Sequence, residues 1–275
     1  MQADQRYILR QGRHGLFLVN PRDRYVGRAL AEYGEFSEWE VAALLAPLKP
    51  GAVVVEAGAN MGAITVPLAR RVGRDGCIFA YEPQRLTFQQ LCANLALNGL
   101  DNVVARWAAC GRERGAITVP VVDPDLPNNI GGLDIRGHAD GEIVDVEPID
   151  ALGLDRCDLI KADVEGMERD VLAGARATIA RCRPHLYLEN DRPENGAALI
   201  DDVLALGYRA WWHTPPLFNA KNWAKRPDDV WLEEEGKRFV SINMLCVPEE
   251  IDPGITGLRP CVPGKDHRQL WGKAA

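Results

Sequence analysis

No C-x-x-C pair occurs among the seven cysteines, which are odd in number, widely spaced and without histidines at zinc-finger intervals. That pattern argues against a disulfide framework and a structural zinc, and a reducing compartment is expected. An excess of positive charge is also missing. Thirty-nine acids against 32 bases leave a net charge of −7, the wrong sign for a nonspecific nucleic-acid binder, and no basic run stands out. No stretch approaches the ~18 consecutive apolar residues of a membrane span. The N-terminus, Met-Gln-Ala-Asp-Gln-Arg, opens polar and lacks the apolar centre of a signal peptide. Repeats, low-complexity tracts and linkers are not seen either. The expectation is a soluble cytoplasmic protein with no nucleic-acid partner and no membrane span.

What is present is enough to build a core. The 275 residues are 47% hydrophobic and 26% charged, ordinary figures for a globular chain. At roughly 150 residues per domain this allows one large domain or two small ones. The pattern predicts a hairpin appendage over 1–36, a main domain over 37–250 and a tail over 251–275. Leu16, Leu18 and Tyr25 flank Asn20-Pro21-Arg22-Asp23, a turn-forming cluster that suggests a short hairpin. Ser37 followed by Glu40 reads as a capping box. It opens a helix with Val41, Leu44, Leu45 and Leu48 on one face, stopped by Pro50-Gly51.

Strands and helices then alternate. Val53-Val54-Val55 is a continuous apolar run, as expected of a strand buried on both faces of a parallel sheet. Further strands are predicted at 77–81, 103–107, 158–162 and 185–188, with a last one near 242–247. Helices are predicted up to about Arg71, over 85–98, over 168–181 and over 195–206. Residues 111–149, punctuated by Pro120, Pro124, Pro127 and Gly131-Gly132, read as short strands and loops. Such alternation predicts an α/β, doubly wound, mostly parallel sheet with helices on both faces.

Glu56-Ala57-Gly58-Ala59-Asn60-Met61-Gly62 follows the first buried strand and opens a helix. Glycine lets a ligand approach the backbone there, and the helix N-terminus offers free N–H donors. The site suits a dinucleotide or S-adenosylmethionine. A dinucleotide fingerprint needs glycines at 58, 60 and 63, but Asn60 and Ala63 stand at two of these. Glu82 ends the second strand, where a carboxylate can take both hydroxyls of a ribose.

The sequence resembles the FkbM-type methyltransferases, which depend on S-adenosylmethionine. The resemblance rests on the segment just described, on Tyr81-Glu82-Pro83, and on Leu159-Ile160-Lys161-Ala162-Asp163-Val164-Glu165-Gly166. Leu188-Glu189-Asn190-Asp191-Arg192 and Ser241-Ile242-Asn243-Met244-Leu245 complete an ordered set spanning roughly 37–247. It implies a seven-stranded, Rossmann-like sheet whose last strand runs antiparallel. It also implies Glu56 and Gly58 near the methionine part of the cofactor, Asn60 and Gly62 lining the turn, Glu82 on the ribose and Ala109 near adenine. Asn128-Asn129-Ile130-Gly131-Gly132 looks like the family's Asn-aromatic-Gly-Gly loop, with Ile130 departing from the aromatic and Asn129 a candidate substrate contact.

For chemistry, carboxylates gather where the fourth and fifth strands should end. Asp163 and Glu165 lie two residues apart, and Glu189, Asn190 and Asp191 adjoin one another. Oxygen-rich sets suit Mg²⁺, so Asp163, Glu189 and Asn190 are candidate metal ligands. Their placement is similar to that in metal-dependent O-methyltransferases such as catechol O-methyltransferase. Asp163, Glu165 and His213 are the candidate catalytic groups, imidazole because it titrates near neutrality. Asn190 and Trp212 are further candidates for substrate contact. The resemblance implies O-methylation of a sugar, glycan or secondary metabolite. An NAD(P)-dependent oxidoreductase and a non-catalytic cofactor-binding scaffold are the rival classes.

Overall fold

Side chains of a β-strand alternate between its two faces, and here both faces are covered. Val54, Leu159 and Tyr187 point into one apolar layer, while Val55, Ile160, Leu186 and Leu188 point into another. The computed structural model describes residues 6–129 and 131–271. Ile130, predicted to sit in the Asn-Gly-Gly loop, lies outside the described residues.

Strands β1 (Ile8–Gln11) and β2 (Leu16–Val19) form an antiparallel hairpin, followed by helices α1 (Val26–Tyr33) and α2 (Glu38–Leu45). The alternating part runs β3 (Val53–Ala57), α3 (Thr65–Val72), β4 (Cys77–Tyr81), α4 (Arg85–Leu97) and β5 (Val103–Arg106). A small sheet of β6 (Ala109–Cys110), β7 (Gly115–Val119) and β8 (Glu142–Glu147) interrupts it. The rhythm resumes with β9 (Leu159–Ala162), α5 (Glu168–Ala173), α6 (Arg176–Cys182), β10 (His185–Glu189) and α7 (Pro193–Ala205). It closes with β11 (Tyr208–His213), α8 (Val230–Glu235), β12 (Asn243–Pro248) and β13 (Arg259–Pro260).

The main sheet has the order β13-β11-β12-β10-β9-β3-β4-β5. Strands β5, β4, β3, β9 and β10 are parallel, and β12 is antiparallel to both β10 and β11. The sheet therefore has eight strands among the described residues, not the seven expected. The extra one comes from the tail: β13 pairs with Trp211 and Trp212 of β11, and Cys261 beyond it is buried in the core.

Four local expectations change. The N-terminal hairpin turns at Gly12–Gly15, where Gly12 N donates to Gly15 O, and not at Asn20–Asp23. The latter cluster starts a helix: Asn20 Oδ1 accepts from Arg22 N, and Asp23 Oδ2 from Gly27 N. Ser37 makes no capping bond to the backbone; it sits at φ 44°, and its hydroxyl donates to Glu40 Oε2 instead. The helix predicted over 168–181 is two, because Gly174 passes so close to Gly111 that a Cβ would stand 2.0 Å from the Gly111 oxygen. Asp150 then accepts from Ala177 N and Thr178 N, giving α6 its own start. Strand β11 and helices α1 and α8 were not anticipated. No helix among the described residues is long and apolar enough to cross a membrane.

Candidate active site

In an open parallel sheet, ligands bind outside the carboxyl ends of the strands. A cavity of about 350 Å³ lies there, lined by Gly58, Ala59, Asn60, Glu82, Ala109 and Asp163 among others. Its size is within the usual range for small-molecule sites.

The turn after β3 is built around one close approach. Gly58 has φ 82°, and a Cβ on it would stand 1.9 Å from the Asp163 backbone oxygen, so only glycine lets the loops after β3 and β9 meet. Gly58 N and Ala59 N both donate to Tyr81 O. Asn60 is left-handed at φ 50°, with its own Oδ1 accepting from Met61 N. Gly62 (φ 89°) is packed beneath the turn against Leu91 and does not line the cavity.

Glu82 is held from two sides. Its Oε2 accepts from Asn60 N and its Oε1 from Gln84 N, each at 2.8 Å. Burial pushes its carboxyl up to about 7, against those two backbone donors. Ala109 follows β5 at the far end of the cavity, and Asn129, Gly131 and Gly132 line its edge. Asn129 Oδ1 accepts from Gly132 N, so part of its polar capacity closes the loop.

At the other end lie the carboxylates. Asp163, Glu165 and Glu189 bring oxygen atoms within 4.8 Å of one another. Glu165 sits at φ 54°, an uncommon conformation for a residue with a side chain. The loop beneath it is fixed by Glu168 Oε1, which accepts from Val164 N and Gly166 N. The Arg192 guanidinium donates to Glu165 Oε2. Burial, reinforced by Asp163, still pushes the Glu165 carboxyl up to about 8. Glu189 is raised for the same two reasons, and its Oε2 has no hydrogen-bond partner among the described residues.

Besides Gly62, three expected site residues stand outside the cavity lining. Asn190 turns its amide to Gly196 O and Met244 Sδ, which removes it from the metal set and from substrate contact. Trp212 is 2% exposed and packs in the main core. His213 is hydrogen-bonded through Nδ1 to Tyr187 Oη at 2.7 Å, and burial holds its pKa below the ordinary value. Both belong to β11, where they pair with Met244 and Asn243 of β12, and neither lines the cavity.

Other lining residues were not singled out from sequence. Glu40 is buried and faces the cavity, in register with Leu44 and Leu48 at four-residue steps; that spacing was the available signal. Lys161 is a lysine inside a strand buried on both faces, which is itself a mark of a buried charge site. An apolar wall of Tyr25, Phe36, Leu217 and Phe239 has no sequence motif.

Several known proteins are similar to this chain. Over 154 residues the chain is 30% identical to Methyltransferase 1 of Beauveria bassiana (strain ARSEF 2860), covering 47% of this chain and 61% of that protein. It is 31% identical over 165 residues to Methyltransferase sdnD of Sordaria araneosa, covering 47% and 62%. The match thus spans less than two thirds of either relative. Among solved structures, methyltransferase FkbM from Methylobacillus flagellatus KT aligns at 19% identity and TM-score 0.46, over 72% of this chain and 44% of that one. M. jannaschii TYW2 in complex with AdoMet aligns at 12% identity and TM-score 0.45, over 90% and 89%. The sequence profile of the methyltransferase FkbM domain matches residues 56–210, a stretch that begins on Glu56 and takes in Gly58, Glu82, Asp163, Glu165 and Glu189. With more than half of its length inside that match, the chain belongs to the FkbM methyltransferase domain family.

Proposed function

We propose that the crevice takes S-adenosylmethionine and that the protein methylates a hydroxyl oxygen of a small molecule or glycan, such as a sugar or secondary metabolite. The observation that carries this reading is Glu82. A carboxylate offers about four lone-pair positions, and two backbone donors hold this one against the cavity with acceptor capacity left for two neighbouring ribose hydroxyls. Asn60 stands where a dinucleotide fold needs glycine, and its amide reaches toward Gly131, which disfavours a pyrophosphate there.

Bound on these residues, S-adenosylmethionine supplies an electrophilic methyl group on sulfur. The protein's own contribution is alignment and proton removal. Alignment of the acceptor along the methyl–sulfur axis is worth about 7–11 kcal/mol in favourable cases. Asp163, tied to Lys161, orients the acceptor hydroxyl, and Glu165 takes its proton, since a carboxyl pushed up to about 8 is matched to that task near neutrality. His213 has no part in this account. The apolar wall of Tyr25, Phe36, Leu217 and Phe239 suits the body of the acceptor.

The donor set does not fit a divalent ion well. Asp163 is already paired with Lys161 and Glu165 with Arg192, and Asn190 faces away. Those two cations replace the charge that Mg²⁺ would bring. All seven cysteines are free, which supports a reducing compartment such as the cytoplasm.

Calorimetry with S-adenosylhomocysteine and with NADH tests the cofactor. The first is expected to bind, and at least tenfold more weakly to Glu82→Gln. Binding of NADH instead would move the reading to an oxidoreductase. Cofactor binding with no methyl transfer across a broad panel of alcohols and glycans would favour a scaffold.

A further inference from the structure

The crevice contains a charge set that the mechanism above leaves unused. Glu40, from α2, is 3% exposed, and Glu56, from β3, is fully buried; both line the cavity. Glu40 accepts hydrogen bonds from Ser37, at 3.0 Å, and from Ser241. Glu56 Oε2 accepts from Thr65 Oγ1 at 2.7 Å, while its Oε1 has no partner among the described residues. Lys161 lies between them and Asp163, directly beside Glu56 in the β3–β9 register. Three carboxylates therefore share one ammonium group. A buried carboxylate without a full set of donors is costly to keep ionised, and burial pushes Glu40 and Glu56 up to about 7 even beside Lys161. A second cation entering the cavity would settle that imbalance.

The topology says which part of a ligand arrives there. Strand ends follow in the order β5, β4, β3, β9. An adenosine with its base near Ala109 and its ribose on Glu82 directs its 5′ substituent over β3 and β9, toward Glu56, Lys161 and Glu40. We propose that Glu40 joins Glu56, which the resemblance already sets near the methionine part, in binding the α-ammonium of the cofactor's methionine chain; the new element is Glu40, a binding residue supplied from outside the family-matched stretch. This rests on the cofactor reading above. Glu56 offers its unpartnered oxygen, and Lys161 keeps the two acids from repelling one another when the ligand is away. Ser37 and Ser241 aim Glu40 by bonding it from two separate segments.

The test compares S-adenosylhomocysteine with its desamino analogue, which keeps the carboxylate chain but lacks the ammonium. Calorimetry on the whole chain is expected to show the native protein preferring S-adenosylhomocysteine at least tenfold. Glu40→Gln should weaken S-adenosylhomocysteine at least tenfold and leave the desamino analogue within twofold, the latter also reporting an intact fold. Equal losses for both ligands, or no loss for either, would overturn the role of Glu40. A native protein that binds neither ligand would instead remove the cofactor reading itself. If Glu40→Gln does not fold, Ser241→Ala gives the same contrast by loosening Glu40: a two- to fivefold loss confined to S-adenosylhomocysteine supports the proposal, and equal affinities overturn it.

Discussion

Lys161 Nζ donates to Asp163 Oδ2 at 3.1 Å, from a side chain only 2% exposed to one that is 34% exposed. The pair spans the boundary between core and crevice. Burial alone would pull the lysine's pKa down, but Asp163, Glu40 and Glu56 together raise it, so the ammonium stays charged. A fixed cation near the end of β9 thus anchors one carboxylate that lines the cavity and neutralises part of two that do not reach bulk water.

The first prediction concerns stability and pH. Glu40, Glu56, Glu82 and Glu168 are each pushed up to about 7 in the fold, by burial first, and Glu165 to about 8. Unfolded, such groups titrate near 4.3. The folded state therefore binds more protons in between, and stability falls as pH rises through that window. His185 and His213, held below their ordinary value by burial, act in the opposite sense but only below about pH 6.5. Urea denaturation of the ligand-free protein should show a clear loss between pH 6.5 and 8. Lys161→Met should steepen it, costing about 3 kcal/mol at pH 8 and much less at pH 5.5, where the acids can take up protons. A flat profile for both proteins would refute the charge assignment.

A second prediction separates two candidate bases. Glu165→Gln should lower turnover of a matched acceptor roughly 100-fold or more, with S-adenosylhomocysteine affinity within threefold. His213→Ala should retain turnover within about threefold, since its imidazole bonds Tyr187 and not the cavity. The base must be unprotonated, so the native rate should climb with pH toward a plateau above about 8. That limb should persist in His213→Ala. Its disappearance there would return the role to histidine.

Metal dependence gives the third. With Lys161 and Arg192 already on Asp163 and Glu165, excess chelator should leave methyl transfer unchanged. Activity lost to chelator and restored by Mg²⁺ or Mn²⁺ would show that the carboxylates exchange those partners for an ion.

Much of the scaffold was legible because buried parallel strands leave apolar runs: 77–81 was placed to the residue, and β3, β5, β9 and β10 to within two. The turn that lines the crevice was legible for a related reason, since the close approach of the Asp163 backbone demands glycine at 58, and Glu82 accepts from two backbone N–H groups beside it. Elements that depend on distant partners were not. β11 reads as a cluster of tryptophans because its pairing is with β12 and β13, dozens of residues later. Glu40 was misread as a cap because Ser37 and Glu40 have the right spacing for one. Their actual hydrogen bond is side chain to side chain, drawn inward by the lysine of a strand 121 residues away. Asn190 looked like a ligand from its neighbours, yet the turn into α7 rotates it toward Gly196.

One side chain joins the parts. Asn94 of α4 accepts from Leu18 N, and its amide donates to Leu18 O and to Met61 O. A hairpin that precedes the family-matched stretch is thereby fastened to the turn inside it. The wall residues Tyr25, Phe36, Leu217 and Phe239 all lie on either side of 56–210, in segments free of the glycines and acids that the cofactor turn requires. On the proposed reading, substitutions at those four positions would reshape the face offered to an acceptor without altering Gly58, Glu82 or Glu165.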